Sequence, residues 1–177
     1  MKPSEVIALA KGNSRILSKA ILIEEIYSLL SYVTGKEKHQ LFLDLTNVSN
    51  VENNRFIELV KIRSSGVPLS HIIGTRSFWK SEFLVDKNVL DPRPDTETIV
   101  EVALKLCNGP MKILDLGTGS GCLACSLAIE YPSAKVIATD KSFGAIKLAK
   151  KNAEMLKLKI DFIGADWMKG LDEKFDL

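Results

Sequence analysis

Three positions in the second half of the chain carry groups suited to holding a small ligand. They are a glycine-rich loop at residues 115–121 (DLGTGSG), then Asp140, then the pair Asp166-Trp167. Each closely follows a short apolar run. In an open parallel sheet the carboxyl ends of such strands lie along one edge, where ligands bind. We therefore expect the three positions to meet around one ligand.

The spacing of the loop glycines favours one kind of ligand. Glycine lets the backbone approach a ligand closely, and amide N–H groups at the start of a helix favour a carboxylate or phosphate. A dinucleotide fingerprint, G-x-G-x-x-G, needs glycine at position 122, which is Cys122. This disfavours a nicotinamide-dependent oxidoreductase. The observed G-x-G-x-G favours S-adenosylmethionine, with the loop contacts Gly117, Thr118, Gly119, Ser120 and Gly121.

Asp140 and Trp167 fit the remainder of that cofactor. A carboxylate at the end of the second strand can accept hydrogen bonds from both ribose hydroxyls. The indole of Trp167 can stack on adenine, and Asp166 can accept from the exocyclic amine. Singly, each has a structural alternative: Asp140 as a helix cap, Trp167 as a core residue, the glycines as a tight turn. Their coincidence predicts the cofactor site.

The cysteines and histidines do not indicate a metal or redox site. Cys122 and Cys125 form a C-x-x-C pair, but they are interleaved with apolar residues of one helix. No second Cys/His pair supplies further zinc ligands, so core packing is favoured. His39 and His71 lack such partners in the sequence and are assigned structural roles. We predict no metal.

The first part of the chain is predicted to be helical. Apolar residues at helical spacing indicate helices over about 18–32 and 56–66, with a short apolar run at 41–45 and a polar loop at 46–54. Val67-Pro68 ends this bundle of about four short helices, since the residue before proline avoids helical geometry. No internal repeat is evident.

The pattern then changes to strands. Residues 72–89 alternate aromatic and β-branched residues with polar breaks, which predicts a hairpin, and a rigid connector and a helix to about Cys107 follow. Short apolar runs at 113–114, 136–138 and 160–163 alternate with helical stretches, and 175–177 begins a fourth strand. We predict an α/β fold: a helical bundle (1–72), a β-hairpin linker (73–93) and a partial Rossmann-like methyltransferase domain (94–177).

The composition limits the classes of function that the chain can have. The 177 residues are 46% hydrophobic with a net charge of +2, as in a soluble globular protein, and this charge does not identify a nucleic-acid binder. No apolar run is long enough for a membrane helix, and the N-terminus lacks the features of a signal peptide, so we expect a cytoplasmic protein. Six lysines cluster around one predicted helix, at 141, 147, 150, 151, 157 and 159. A solvated face is favoured there over a contact surface for an RNA-bearing partner.

Four segments together resemble a known family. They are residues 66–74 (GVPLSHIIG), Phe78-Trp79, residues 91–97 (DPRPDTE) and residues 113–121 (ILDLGTGSG). The combination resembles the HemK family of protein-(glutamine-N5) methyltransferases over essentially the whole chain. Two positions depart from the family pattern: Asp91 replaces a usual aliphatic residue, and Ser77 replaces a frequent glutamate.

The resemblance implies a function. Members use S-adenosylmethionine, released as S-adenosylhomocysteine, to methylate the glutamine of the Gly-Gly-Gln motif in class I peptide chain release factors. Residues 117–121 would surround the methionine part of the cofactor, Asp140 would hold its ribose and Trp167 would lie against its adenine. Arg93 would form part of the wall beside the cofactor. The implied partner is a release factor, not DNA, a membrane or a metal. The helical module would recognise this substrate.

The resemblance also implies an incomplete chain. The family's Asn-Pro-Pro-Tyr motif, which presents the glutamine amide, follows the fourth strand, and the sequence stops at residues 175–177 where that strand begins. We expect an N-terminal portion with little or no methyl transfer alone and assign no catalytic residue. Two alternatives are an adenine-N6 DNA methyltransferase, against which the helical module and Pro-Arg-Pro linker argue, and a non-catalytic binding module.

Overall fold

The computed structural model describes residues 1–12, 21–108 and 111–177 and has an α/β fold. It divides into two compact units, Met1–Ile73 and Gly74–Leu177. The first unit is helical, and the second contains a hairpin and a parallel sheet. The predicted division into three parts, with the hairpin as a separate linker, stays a prediction.

Among its described residues, the first unit has five helices around one core. They are α1 (Pro3–Gly12), α2 (Ile23–Thr34), α3 (Lys38–Phe42), α4 (Asn50–Ser64) and α5 (Leu69–Ile73). The core includes Val6, Ile26, Leu29, Leu30, Leu41, Phe56 and Val60. The sequence pattern did not indicate α1. The predicted start of the second helix, 18–20, lies outside the described residues.

Helix α4 begins earlier than the sequence pattern indicates. Ser49 Oγ accepts from the Glu52 amide at 3.2 Å, and the Glu52 carboxylate accepts from the Ser49 amide at 2.6 Å. This reciprocal pair is a capping box, which satisfies two backbone donors at the helix start. The polar residues 50–54, predicted as loop, are therefore the first turn of α4.

The second unit opens with the predicted hairpin. Strands β1 (Thr75–Phe78) and β2 (Ser81–Leu84) pair antiparallel, with Phe78 opposite Ser81. Phe78 and Phe83 are buried and meet edge to face at 6.2 Å. After a 3₁₀ turn at Pro94–Thr96, helix α6 (Glu97–Leu106) leads to the sheet.

The sheet is parallel and follows chain order. Strands β3 (Lys112–Leu116), β4 (Lys135–Asp140) and β5 (Asp161–Gly164) alternate with α7 (Cys122–Glu130) and α8 (Phe143–Met155). On the other edge of β3, the Asp176 amide donates to the Lys112 carbonyl and the Leu114 amide donates to the Leu177 carbonyl, both at 2.9 Å. The predicted Rossmann-like α/β fold class is confirmed.

The buried core of this unit includes the cysteine pair. Cys122 and Cys125 pack with residues such as Ile113, Ala124, Val136 and Ala138, which confirms the prediction of core packing. All six lysines around α8 are exposed, as a solvated face requires. Across the described ranges, no helix is both long and apolar enough to span a membrane, and no group of three or more His, Cys, Asp or Glu residues is placed to hold a metal.

Candidate functional site

The glycine loop joins β3 to α7 and is tied to the end of β4. The amides of Gly117 and Thr118 both donate to the Thr139 carbonyl, at 2.9 and 2.8 Å. Gly117, Gly119 and Gly121 have φ values of 77°, 55° and 79°, in the left-handed region that favours glycine. A Cβ on Gly117 or Gly119 would meet nothing within 4 Å. The loop therefore presents open backbone on one side.

Gly121 serves a different purpose. A Cβ there would lie 2.9 Å from the Ala149 Cβ of α8, closer than real Cβ atoms approach. Gly121 thus lets the start of α7 pack against α8, which is the close helix approach that glycine permits. This packing role differs from the tight turn that the sequence analysis gave as the structural alternative for the loop glycines.

Asp140 links the loop to the start of α8. Its Oδ2 accepts from the Gly119 amide at 3.0 Å, and its Oδ1 accepts from the Ser142 amide at 2.8 Å. The N-cap of α8 is Ser142, whose hydroxyl accepts from the Ala145 amide. Since each carboxylate oxygen has two lone pairs, Asp140 retains acceptor capacity for further donors.

One pocket brings predicted positions together. A space of about 230 Å³ is lined by Gly117, Asp140, Lys141, Ala165, Asp166 and Trp167. Trp167 is 72% exposed, so it is not a core residue, and its φ of 57° places a large side chain in the left-handed region. Such backbone strain is concentrated at functional sites. Gly117 of the loop, Asp140 at the end of β4 and Trp167 after β5 therefore line one pocket.

Thr118 and Ser120 lie on the inner side of the loop. Both are buried and do not line the pocket, and Thr118 Oγ1 donates to Asp115 Oδ2 at 2.7 Å. Burial raises the pKa of Asp115, partly offset by the Thr118 hydrogen bond. Asp115 was not singled out from the sequence, although it opens the loop motif. Asp115 stabilises the loop through its hydrogen bond with Thr118.

Lys141 and Ala165 also line the pocket, and neither was predicted as a site residue from the sequence. Lys141 is the charged one of the two. Lys141 is exposed and directly follows Asp140, at the edge of the pocket. Its position beside a strand-end carboxylate was the available signal. Sequence reasoning assigned it only to the solvated lysine face.

Family models match both parts of the chain. The PrmC N-terminal domain matches residues 8–74, and the Methyltransferase small domain matches residues 96–177. The first covers the helical unit, and the second covers the glycine loop, Asp140 and Trp167.

Several relatives are similar to this chain over most of its length. A release factor glutamine methyltransferase of Shewanella oneidensis is 40% identical over 84% of this chain and 54% of its own length. That of Escherichia coli is 39% identical over 81% of this chain and 53% of its length. A bifunctional methyltransferase of Rickettsia prowazekii is 37% identical over 84% of this chain and 33% of its length.

The chain spans about half the length of the release factor glutamine methyltransferases quoted. The two family models together match the chain from the helical unit through the sheet that carries the pocket. On this agreement of both parts, the resemblance to the HemK family drawn from the sequence is confirmed: the chain matches the PrmC N-terminal domain followed by the Methyltransferase small domain, and it is similar over most of its length to release factor glutamine methyltransferases.

Proposed function

We propose that the chain binds S-adenosylmethionine in the pocket between the glycine loop, Asp140 and Trp167. We further propose that it serves N5-methylation of the glutamine in the Gly-Gly-Gln motif of class I release factors, in the cytoplasm. The observation that carries the proposal is the shared pocket, lined by the ends of three consecutive strands. Ligands of open α/β sheets bind in this place.

The lining residues fit the parts of this cofactor. The open side of Gly117 and Gly119 leaves room for the methionine portion, whose carboxylate suits the positive end of α7. Asp140 accepts from the ribose hydroxyls through its remaining lone pairs. The exposed indole of Trp167 offers an aromatic face to adenine, and Asp166 lies beside it as an acceptor.

These residues bind and orient, and none of them acts as an acid or base. The cofactor supplies an electrophilic methyl group on sulfur. The glutamine amide nitrogen is a weak nucleophile because its lone pair is delocalised. The rate therefore depends on holding the two reactants in line, which is a positioning effect. Fixing the donor at three strand ends is the contribution of residues 115–167.

We propose that the helical unit recognises the release factor. Support comes from an apolar groove between α2 and α3, lined by Ile23, Glu24, Tyr27, Lys38, His39 and Phe42. Tyr27 and Phe42 are in contact, with ring centroids 5.6 Å apart. Aromatic residues in such a groove are typical anchors of protein interfaces.

The substrate class is tested by binding and by methyl transfer. The chain is incubated with S-adenosylmethionine and either a class I release factor or adenine-containing duplex DNA. We expect the release factor to be retained by the chain and DNA not to be. Mass spectrometry then measures whether the glutamine gains a methyl group. This result distinguishes an enzyme from a binding module. Retention of DNA without the release factor would overturn the proposed substrate.

A pair of exposed variants tests the groove. Phe42 is 68% exposed, so Phe42→Asp should leave the fold intact and weaken release factor binding by about tenfold or more. Val51→Asp, at a 79% exposed position on α4, is the control and should bind normally. Equal affinity of the two variants would exclude the groove as the docking site.

A further inference from the structure

One buried side chain joins the hairpin to the glycine loop. Asn152 of α8 is 1% exposed and makes three hydrogen bonds. Its Nδ2 donates to the Ser120 carbonyl at 2.8 Å and to the Leu84 carbonyl at 3.0 Å, and its Oδ1 accepts from the Leu84 amide at 2.8 Å. All its polar atoms therefore have partners on two other segments.

The orientation of this amide is fixed by its partners. The Leu84 backbone N–H can only donate and its carbonyl can only accept, so oxygen and nitrogen of Asn152 cannot exchange places. With both Leu84 contacts satisfied, the second Nδ2 hydrogen is directed to Ser120. Because a buried polar group without a hydrogen-bond partner is unfavourable, loss of either partner disfavours this arrangement.

Neighbouring contacts reinforce the same junction. Leu84, Val85 and Val89, which belong to β2 and the segment after it, form an apolar cluster with Ala145 and Leu148 of α8. On the loop side, Gly121 packs against Ala149. Helix α8 thus holds the hairpin strand and the loop on adjacent turns, and Asn152 is its hydrogen-bonding group to both.

The loop contact falls on a peptide group that shapes the site. The Ser120 carbonyl accepts from Asn152, while the amide of the same peptide unit, on Gly121, donates to the Thr118 carbonyl at 2.8 Å. This unit closes the turn of residues 118–121, in which Gly119 faces open space. A change at Asn152 is therefore transmitted to the loop through Ser120.

We propose that Asn152 is a positioning residue for the methyl-donor site, which couples the conformation of the glycine loop to the docking of β2 on α8. The inference rests on the proposed function in one respect: the ligand is taken to be S-adenosylmethionine. Coupling is reciprocal, so a ligand that stabilises the loop also stabilises the β2 contact. Asn152 touches no reacting atom.

The test compares Asn152→Leu and Asn152→Asp with Val136→Ala in the full chain. Asn152→Leu removes all three hydrogen bonds. Asn152→Asp keeps an acceptor for the Leu84 amide but sets an oxygen against the Ser120 and Leu84 carbonyls. Val136 is buried at the opposite end of the sheet, so its variant controls for general destabilisation. The readouts are amide hydrogen exchange by NMR and calorimetric titration with S-adenosylmethionine.

Without ligand, we expect Asn152→Leu to speed exchange of the Leu84 and Gly121 amides together and Asn152→Asp to speed mainly that of Gly121. Both should weaken donor binding by about tenfold or more, well beyond Val136→Ala. In the wild-type chain, S-adenosylmethionine should slow hydrogen exchange of the Leu84 amide, and in Asn152→Leu it should not. Unchanged Gly121 exchange in both variants, or donor affinity equal to that of Val136→Ala, would overturn the coupling.

The two proposals fail in different ways. If the wild-type chain does not bind S-adenosylmethionine, the proposed function is wrong, while the ligand-free exchange rates alone still decide whether Asn152 joins the two segments. If the wild type binds donor and the variants bind it equally well, the function stands and the positioning role is wrong.

Discussion

At the scale of single residues, the loop glycines have separable roles. Gly119 and Gly121 share a left-handed backbone, but only Gly121 faces another helix. We predict that Gly121→Ala lowers the free energy of unfolding by about 2–4 kcal/mol, from backbone strain and overpacking against Ala149. Gly119→Ala, with open space around its Cβ, should lower it by about 1 kcal/mol. Urea denaturation measures both, and equal losses would contradict the packing role.

The two core cysteines should be chemically inert in the folded chain. Burial raises the pKa of Cys122 from 9.0 to about 11 and that of Cys125 to about 12, because it disfavours the thiolate. We predict that a thiol reagent at pH 8 leaves both unmodified and labels both after unfolding, as read by mass spectrometry. Above pH 9 the unfolded thiols ionise first, so stability should fall as pH rises towards 11. Rapid labelling of Cys122 in the native chain would refute this.

The positions at the pocket could be predicted from the sequence because each lies at the end of a strand or shortly after it. Asp140 and Trp167 needed only strand positions and side-chain chemistry to be placed at one edge. Asn152 could not be found in this way, since its partners, Leu84 and Ser120, are distant in sequence and are contacted through their backbones. Because every residue has a backbone carbonyl, the residue type does not indicate which carbonyl will accept such a hydrogen bond. The same holds for the packing of Gly121 on Ala149.

At the scale of elements, the hairpin tip is held by two helices. The Trp79 amide donates to Glu97 Oε1 at 3.0 Å, and its indole Nε1 donates to Glu130 Oε1 at 2.7 Å. Lys80 Nζ also lies 2.7 Å from Glu130 Oε1. The tip is therefore fixed to the start of α6 and the end of α7.

We predict that Glu130→Ala loosens this tip. The hydrogen bonds from Lys80 and Trp79 lower the pKa of Glu130 below its ordinary 4.5. A lowered pKa stabilises the fold above the ordinary value, and the contribution is lost as pH falls below it. Denaturation at pH 7 should show a loss of about 1–2 kcal/mol for Glu130→Ala, which shrinks in acid. Glu130→Gln, which keeps an acceptor for Trp79, should lose less. A pH-independent difference would argue against the charged contact.

Helix and strand types were predictable where periodicity was strong, and boundaries were not. The hairpin and the parallel strands followed the alternation and short apolar runs of their segments. The first turn of α4 was predicted as loop because residues 50–54 are polar, although the capping box of Ser49 and Glu52 stabilises a helix there. Local side-chain hydrogen bonds outweighed the missing apolar residues.

At the scale of the whole molecule, the buried clusters fall within one unit or the other among the described residues. We predict that Leu29→Ala, in the centre of the helical core, destabilises that unit by about 2–5 kcal/mol. It should leave donor affinity within about twofold of the wild type. Thermal unfolding and calorimetric titration of the same sample test this. A loss of donor binding comparable to that of the Asn152 variants would show that the donor site depends on the helical core.

The central claim is that the pocket at the three strand ends binds the methyl donor, and Trp167 tests it most directly. Its side chain is 72% exposed, so Trp167→Ala should leave stability within about 0.5 kcal/mol of the wild type. Calorimetric titration with S-adenosylmethionine should show one site in the wild type and a loss of about 1–3 kcal/mol of binding free energy in Trp167→Ala, as expected for base stacking. Tyr32→Ala, at an exposed aromatic of α2, should bind normally. No binding by the wild type, or equal affinity of the two variants, would contradict the claim.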